Sequence, residues 1–363
     1  MRMRSGSLCL IFLTCAASAI AQKPLTVPAA PAENPATAAT GPVTFDVVVT
    51  DKAGRPIHGL QQSDFTLFDD KQPAAIKSFA AHEIASSQND EAVFLILDDV
   101  NAGFDAISLE RTQVENYLRS DGGRLAVPVG IFILTDDGLT QITSVSSDGN
   151  QLASVLHAKD GQLHDIQRSA GFWGATERLD VCLRSMQRFV AWLGQQPGRK
   201  LAVWISPGWP IFDNPNVMIS SQEQRQIFST VVGLSAAMRQ ADVTLYSIDP
   251  LGPLDAASTR SFLWESFTKP VTKPNKANPG NLALQVIVDH TGGKVLIGSN
   301  DLTGEIRRCA QDALEWYSLT FDPQASETPD TWHDVQVKVD RPGVVVRTRN
   351  GYYAEPAVAS HGR

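Results

Sequence analysis

Cysteine is scarce in this sequence. Only four occur among 363 residues, and none forms a C-x-x-C pair or a Cys/His spacing typical of a zinc site. Cys9 and Cys15 lie in the N-terminal apolar segment, which leaves Cys182 and Cys309 for the rest of the chain. Both of these lie in stretches with helical spacing, so they form either one disulfide of an oxidising compartment or two small buried hydrophobic residues.

The chain also lacks a long apolar run and a concentrated basic patch. After residue 21, no stretch approaches the roughly 18 uninterrupted apolar residues that a membrane-spanning helix requires. The formal net charge is -8 and is spread along the sequence, whereas nucleic-acid binding needs clustered lysine and arginine. We therefore expect no transmembrane segment and no nucleic-acid partner. The length suggests two domains, or one large domain with appendages.

Signatures of nucleophilic catalysis are missing as well. The sequence has no G-x-S-x-G motif, and its seven histidines form no recognisable constellation with a serine or a cysteine. Asp136 and Asp137 form an acidic pair, but the Gly138 that follows favours a hairpin turn. We expect a protein that is not an enzyme. The alternative is a hydrolase of envelope polymer that uses unrecognised carboxylates such as Asp98 and Asp99.

The N-terminal residues have the order of a secretory signal peptide. Two arginines precede an apolar run at 8–13, and Ala19-Ile20-Ala21 supplies a small-residue cleavage site. We predict a signal peptide at 1–21, and hence export to the periplasm or the cell exterior; a buried N-terminal helix is the alternative. Residues 22–42 are rich in proline and alanine and are predicted to be a flexible linker.

The remaining chain divides into β, α/β and β blocks. Residues 43–84 and 316–354 read as strands and turns, and each block is too small to bury a stable core alone. Between them, at 90–315, buried strands alternate with helices, which is typical of βαβ units. We predict an α/β domain with a central, mostly parallel sheet flanked by helices, inserted in a small β-sandwich that both terminal blocks form. Residues 355–363 are a predicted tail.

One strand is expected to organise the α/β domain. Residues 92–97 are all apolar, as in a strand buried on both faces of a sheet, and Asp98 and Asp99 follow directly. Another apolar strand at 201–205 leads into Ser206. Because parallel strands end at the same edge of a sheet, the loops after both strands are predicted to converge there.

These segments resemble the von Willebrand factor A (VWA) fold. The sequence segments that carry this resemblance are Val93–Asp98, Gly174-Ala175-Thr176 at a predicted helix start, and Val203–Ser206. The chain is also similar, more narrowly, to the acidobacterial VWA-related family of secreted proteins, through Val47–Asp51, Gly54–Leu60, Thr291-Gly292-Gly293, Tyr317-Ser318-Leu319 and Arg341-Pro342-Gly343. The resemblance spans nearly the whole chain after the linker, and it implies a Rossmann-like domain that binds a protein partner.

The VWA resemblance also implies a site for Mg²⁺ or another divalent cation. VWA domains hold the ion with a D-x-S-x-S loop, a threonine from a later loop and an aspartate after strand four. Asp98 matches the first aspartate and Thr176 the threonine, but Val100 and Ala102 replace the two serines. The loop after the fourth strand offers Ser206 and no carboxylate. The site is therefore degenerate.

Oxygen ligands for such an ion would have to come from neighbouring residues. The candidate set is Asp98, Asp99, Asn101, Thr176 and Ser206. Two structural alternatives stay open. Asp98 can cap the next helix or accept backbone N–H groups at the sheet edge, and Thr176 can be an ordinary helix N-cap.

An aromatic rim is predicted beside this edge. Four residues make it up, in two Gly- and Pro-rich loops: Phe172, Trp173, Trp209 and Phe212. Exposed aromatic side chains would anchor a protein partner, and the alternative is that the rings bury themselves beneath the loops. We therefore expect an exported VWA protein that mediates protein binding or adhesion in the cell envelope. A metal-free structural subunit is a further alternative.

Overall fold

The computed structural model describes residues 41–83, 91–159, 171–212, 219–252, 259–323 and 328–355. The predicted signal peptide lies outside these residues, as do most of the predicted linker and nearly all of the predicted tail. Among the described residues, no helix has both the length and the apolar character needed to cross a membrane.

The secondary structure follows the predicted β, α/β, β order. The strands are β1 Val43–Asp51, β2 Phe65–Asp69, β3 Gln72–Ala74, β4 Ile76–Glu83, β5 Ala92–Asp98, β6 Arg124–Thr135, β7 Gly138–Gln141, β8 Ser146–Asp148, β9 Lys200–Ile205, β10 Val243–Ile248, β11 Val295–Leu296, β12 Glu315–Phe321, β13 Trp332–Val339, β14 Val344–Arg347 and β15 Gly351–Tyr353. The helices are α1 Phe104–Arg119, α2 Gly149–Ala158, α3 Gly171–Leu193, α4 Ser221–Gln240, α5 Leu284–His290 and α6 Leu302–Gln311.

The central sheet has the strand order β11-β10-β9-β5-β6-β7. Its first five strands are parallel, and β7 returns antiparallel to β6 through the predicted turn at 136–138. Every residue of β5, β9 and β10 is buried, because helices cover both faces of the sheet. One face packs on α3, α4 and α5, and the other on α1, α2 and α6.

The two terminal blocks form one sandwich around a shared core. Its sheets have the orders β14-β1-β12-β4 and β15-β13-β2-β3, so each sheet mixes strands from both blocks. Phe45, Leu67, Leu319 and Val335 illustrate the apolar interior, to which both sheets contribute. The predicted fold class is thus confirmed, since an α/β domain interrupts a sandwich that neither block could complete alone. The exact domain boundaries stay predictions.

Several elements differ from the sequence-based expectation. Helix α2 was not predicted, although Asp148 caps it by accepting from the Gln151 N–H at 3.0 Å, and Leu152 and Leu156 form its buried face. Strands β8 and β15 were also missed, because three-residue strands carry little periodicity. Helix α3 begins at Gly171, four residues before its predicted start.

The two cysteines outside the N-terminal segment are buried and unpaired. Cys182 belongs to α3 and packs on one face of the central sheet, whereas Cys309 belongs to α6 and packs on the other. A sheet separates the two side chains, which rules out a disulfide between them. Burial raises the pKa of both thiols, so they behave as small hydrophobic residues.

Candidate functional site

The candidate site lies at the C-terminal edge of the central sheet. Strands β5, β9 and β10 end there side by side, which brings Asp98, Ser206 and Asp249 to one edge although they are far apart in sequence. Crevices at this edge of an open parallel sheet are the usual place for ligands in α/β proteins. The predicted convergence of the loops after β5 and β9 is therefore observed.

Asp98 is the centre of a dense hydrogen-bond network. Its side chain is completely buried. Oδ1 accepts from the backbone N–H groups of Val100 (3.1 Å) and Asn101 (3.0 Å), and Oδ2 accepts from the Ser206 hydroxyl (2.8 Å) and the Trp204 indole (3.2 Å). The Asn101 side-chain amide donates to both oxygens, at 3.1 and 2.9 Å. We call these five residues the Asp98 network.

The donors of this network are neutral. Loss of water around the buried carboxyl group raises the pKa of Asp98, and hydrogen bonds from Asn101 and Ser206 oppose that rise. A carboxylate offers about four lone-pair positions, and six protein hydrogen bonds already converge on this one. Asp98 accepts backbone N–H groups at the sheet edge, which is one of the two structural roles predicted for it from the sequence. It does not cap α1, whose N-cap is Gly103.

The residues around Asp98 do not fit a divalent cation as they are arranged. A cation needs oxygen ligands, but Asn101 and Ser206 direct N–H and O–H groups towards Asp98. Val100 and Ala102 are buried and have apolar side chains in place of the two serines. The Asp99 carboxylate instead forms an ion pair with Arg111, with Oδ2 of Asp99 2.8 Å from Nη2 of Arg111.

Thr176 is not placed as predicted. Because α3 begins at Gly171, Thr176 lies in the second turn of the helix and cannot be its N-cap. Its hydroxyl donates to the Phe172 carbonyl at 2.9 Å, which is the usual back-bond of a threonine inside a helix. The structure therefore brings Asp98, Asn101 and Ser206 together, and it leaves Thr176 bound to its own helix.

The predicted aromatic rim divides into two parts. Phe172 and Trp173 are 39% and 38% exposed, and the Phe172 ring contacts Phe212 with centroids 5.3 Å apart. Trp209, by contrast, is only 3% exposed and packs edge-on against Trp204 at 5.4 Å. The prediction of an exposed rim is wrong for Trp209. We call Phe172, Trp173 and Phe212 the surface aromatic cluster.

A cavity of about 390 Å³ opens beside the Asp98 network. Residues from the loops after β5, β9, β10 and β11, with residues of α3 and α5, line it: Asn101, Arg178, Pro207, Gly208, Trp209, Pro210, Ile211, Asp249, Leu251, Leu263, Trp264, Gln285 and Ile297. We call it the indole cavity, after its two tryptophans. Trp264 lines this cavity, whereas Phe267, three residues later in the chain, packs against Gly280.

Sequence reasoning missed three polar residues of this cavity. Arg178, Asp249 and Gln285 come from three separate elements, and no motif links them. One local signal was available at Gly208, which has φ +102°. A Cβ there would stand 2.3 Å from the Gln285 side-chain nitrogen, so only glycine lets the loop approach Gln285.

Comparisons with known proteins give no family assignment. No protein-family model matches the sequence, and no curated protein matches it. Among solved structures, the chain is similar to the VWA domain of SpRpn10, with 14% identity and a TM-score of 0.26 over 44% of this chain and 74% of that chain. It is also similar to a von Willebrand factor type A protein from Catenulispora acidiphila, with 12% identity and a TM-score of 0.32 over 82% and 75%.

A further similarity is to the pilus adhesin SpaC from Lactobacillus rhamnosus GG in its open conformation. The identity is 8% and the TM-score is 0.37, over 79% of this chain and 47% of that chain. At these identities and scores the similarities identify no function. The fold is therefore assigned from the strand order and the two packed faces of the central sheet, and the narrower acidobacterial resemblance stays a prediction.

Proposed function

We propose that the protein is an exported, VWA-type binding protein that recognises a protein partner at the C-terminal edge of its central sheet, without catalysis and without a bound divalent cation. The observation that carries this proposal is the surface aromatic cluster. Two large aromatic side chains, Phe172 and Trp173, stand more than a third exposed beside the sheet edge, with Phe212 behind them. Aromatic anchors of this kind dominate the energetics of protein interfaces.

The same edge carries a further exposed apolar side chain. Phe104 begins α1 directly after the loop that holds Asn101, and it is 69% exposed. Grouped exposed apolar residues on a protein surface usually mark an interaction site. The Asp98 network supports the surface from below, because it ties the loops after β5 and β9 into one hydrogen-bonded unit and limits the ordering cost of binding.

Recognition through this surface needs no metal-bridged carboxylate. Asp98 and Asp99 are both engaged, the first by the network and the second by Arg111, so neither is arranged as a nucleophile or a general base. We therefore propose a binding role in preference to the hydrolase alternative. Export rests on the predicted signal peptide at 1–21, and the mass of the protein recovered from its cells would show cleavage before Gln22.

The experiment is cross-linking in the cell envelope of the source organism with quantitative mass spectrometry. We compare the wild type with the double variant Phe172→Ala, Trp173→Ala and with Val345→Ala, a control residue of similar exposure on the sandwich. We expect partner recovery to fall at least about tenfold in the double variant, since removing two aromatic anchors costs more than the roughly 1.4 kcal/mol that tenfold represents. Undiminished recovery by the double variant would overturn the proposal.

A further inference from the structure

A polar cluster interrupts the apolar interior of the sandwich. On β2, Phe65 and Leu67 face the interior and Asp69 takes the next inward position, while His333 takes an inward position on β13. Asp69 and His333 are 0% and 5% exposed. They come from the N-terminal and the C-terminal β block, so the cluster lies where the two blocks join. Buried charged groups in proteins are paired or coordinate a metal.

Asp70, in the turn after β2, completes the cluster. His333 Nδ1 lies 3.0 Å from Asp70 Oδ2 and 3.7 Å from Asp69 Oδ1, and one ligand atom from each of the three residues lies within 4.8 Å of the other two. We call these residues the His333 cluster. Two ligands that are each about 2.1 Å from a tetrahedral zinc ion are roughly 3.4 Å apart. The two distances from Nδ1 lie on either side of that value, so the spacing suits a single small ion.

The second oxygen of each carboxylate accepts a hydrogen bond that fixes its orientation. The Tyr352 hydroxyl donates to Asp69 Oδ2 at 3.1 Å, and the backbone N–H of Asp334 donates to Asp70 Oδ1 at 2.9 Å. The Tyr352 ring also stacks on the imidazole of His333, with centroids 5.0 Å apart. Outer donors of this kind orient the ligands of protein metal sites.

The imidazole of His333 makes no hydrogen bond within the described part of the chain, through either ring nitrogen. Nδ1 is close enough to Asp70 Oδ2 for a hydrogen bond, so the angle of approach, and not the distance, excludes one. A buried nitrogen of this kind needs a physical explanation, and neutral histidine is the commonest metal ligand. A dication would accept the Nδ1 lone pair and balance both carboxylates, whereas a protonated imidazole supplies one positive charge.

We propose that the His333 cluster binds a divalent transition-metal ion of the zinc type through Asp69 Oδ1, Asp70 Oδ2 and His333 Nδ1. The ion would lie among these atoms and not in an open cavity, so their burial does not oppose binding. The Asp70 side chain is 44% exposed and forms the solvent side, where the ion enters and water takes the fourth position. An imidazole ligand favours zinc over Mg²⁺ and Ca²⁺, which prefer oxygen ligands alone.

Zinc at this position would join the two β blocks. An ion that binds the folded chain and not the unfolded chain stabilises the fold. The cluster lies in the sandwich, whereas the Asp98 network and the surface aromatic cluster lie in the α/β domain. The inference therefore goes beyond the proposed protein-binding function and does not rest on it.

The test is isothermal titration calorimetry with Zn²⁺ on the full, untagged chain after a chelator has removed bound metal. We expect one ion per chain, which excess Mg²⁺ does not displace. Asp70→Asn is the deciding variant, because asparagine tolerates the φ of 48° there and its amide oxygen can still accept from the Asp334 N–H. It should weaken Zn²⁺ binding at least about tenfold, since loss of even an outer partner of a ligand has an effect of that size.

Two control variants and a second measurement complete the test. Asp121→Asn makes the same change at an exposed aspartate with φ 51° outside the sandwich and should bind Zn²⁺ as the wild type does. His58→Gln removes a histidine from the other group of possible ligands, which also contains Glu83 and Glu315, and should likewise have no effect. Zn²⁺ should raise the urea midpoint of the wild type but not that of Asp70→Asn.

Three outcomes would overturn the proposal. Absence of saturable binding at one ion per chain would leave the cluster as an ion pair of a protonated imidazole. Loss of binding in His58→Gln, with Asp70→Asn unaffected, would place the zinc at the other group. Equal binding of Mg²⁺ would show attraction by the carboxylates alone. None of these results bears on the envelope cross-linking experiment, which can succeed or fail independently.

Discussion

Asp98 at one edge of the central sheet and Asp312 at the other are stabilised in different ways. At the C-terminal edge, Asp98 is held by neutral donors, and it sits beside an open cavity. At the N-terminal edge, which faces the sandwich, aspartates meet arginines. Arg199 Nε lies 2.7 Å from Asp46 of β1, and Arg347 lies 2.7 Å from Asp312.

The difference follows from what each edge has to do. Arg199 is almost fully buried, and it also donates to the Asp312 carbonyl and lies over the Trp316 ring, so it connects the α/β domain to both terminal blocks. Buried ion pairs make such a junction sensitive to mutation, because removal of one partner leaves the other charge buried and unpaired. Neutral donors hold Asp98 itself, whereas the arginines at this edge pair with Asp99 or line the cavity.

The largest expected effect comes from breaking the charged edge. Arg199→Met keeps much of the apolar stem but leaves Asp46 without its cation and the Asp312 carbonyl without its donor. We expect unfolding in urea to show a loss of about 3 kcal/mol, as for one broken partner of a buried pair. Arg55→Met, which removes the exposed partner of Asp51, is the matched control and should change stability little. Equal effects of the two variants would contradict this view of the N-terminal edge.

The charged edge should also respond to pH. Loss of water and repulsion from Asp46 raise the pKa of Asp242 to about 7, against an ordinary value of 3.8. The folded chain therefore keeps a proton that the unfolded chain releases near pH 4, so this contribution to stability is lost as pH rises from about 4 to 7. Because the residue as a whole remains exposed, solvent screening limits the effect to about 1 kcal/mol or less.

Asp242→Asn removes this proton linkage. The backbone there has φ 51°, a conformation that asparagine tolerates well. We expect urea unfolding between pH 4 and 8 to give a flatter dependence of stability on pH for the variant than for the wild type. An unchanged slope would show that Asp242 does not carry the effect.

The smallest expected effect concerns Thr176. Within the described part of the chain its hydroxyl donates to the Phe172 carbonyl of its own helix, so Thr176→Val should change the free energy of unfolding by less than about 0.5 kcal/mol. The same small change is expected with and without Mg²⁺ in the buffer. If Mg²⁺ stabilised the wild type more than the variant, Thr176 would have to be a ligand of the ion.

Local patterns were sufficient to predict much of the fold. The apolar run of β5 indicated a doubly buried strand, and the turn at 136–138 indicated a hairpin. The meeting of Asp98 with Ser206 followed from a general property of parallel sheets. The small size of each terminal β block made a shared sandwich the physical solution, and strand pairs such as β1 with β12 have this arrangement.

Other features depend on contacts that no local pattern contains. Thr176 matched a ligand position in sequence, but its place inside α3 depends on where that helix starts. The burial of Trp209 depends on its edge-on contact with Trp204, and the cavity residues Arg178, Asp249 and Gln285 come together only through tertiary packing. The sequence alone could not predict that neutral donors surround Asp98, because the positions of the Trp204 indole and the Asn101 amide depend on the folded structure.

Neutral protein donors surround Asp98 where a divalent cation would need free oxygen ligands. Asp98→Asn replaces one acceptor oxygen by an N–H₂ group that faces the Ser206 and Trp204 donors, so it should cost about 2 kcal/mol. The most direct measurement is the free energy of unfolding of wild type and Asp98→Asn in EDTA and in millimolar Mg²⁺. We predict the same loss in both buffers and no stabilisation of the wild type by Mg²⁺. Saturable stabilisation of the wild type by Mg²⁺ that disappears in Asp98→Asn would instead show that Asp98 is a ligand of the ion.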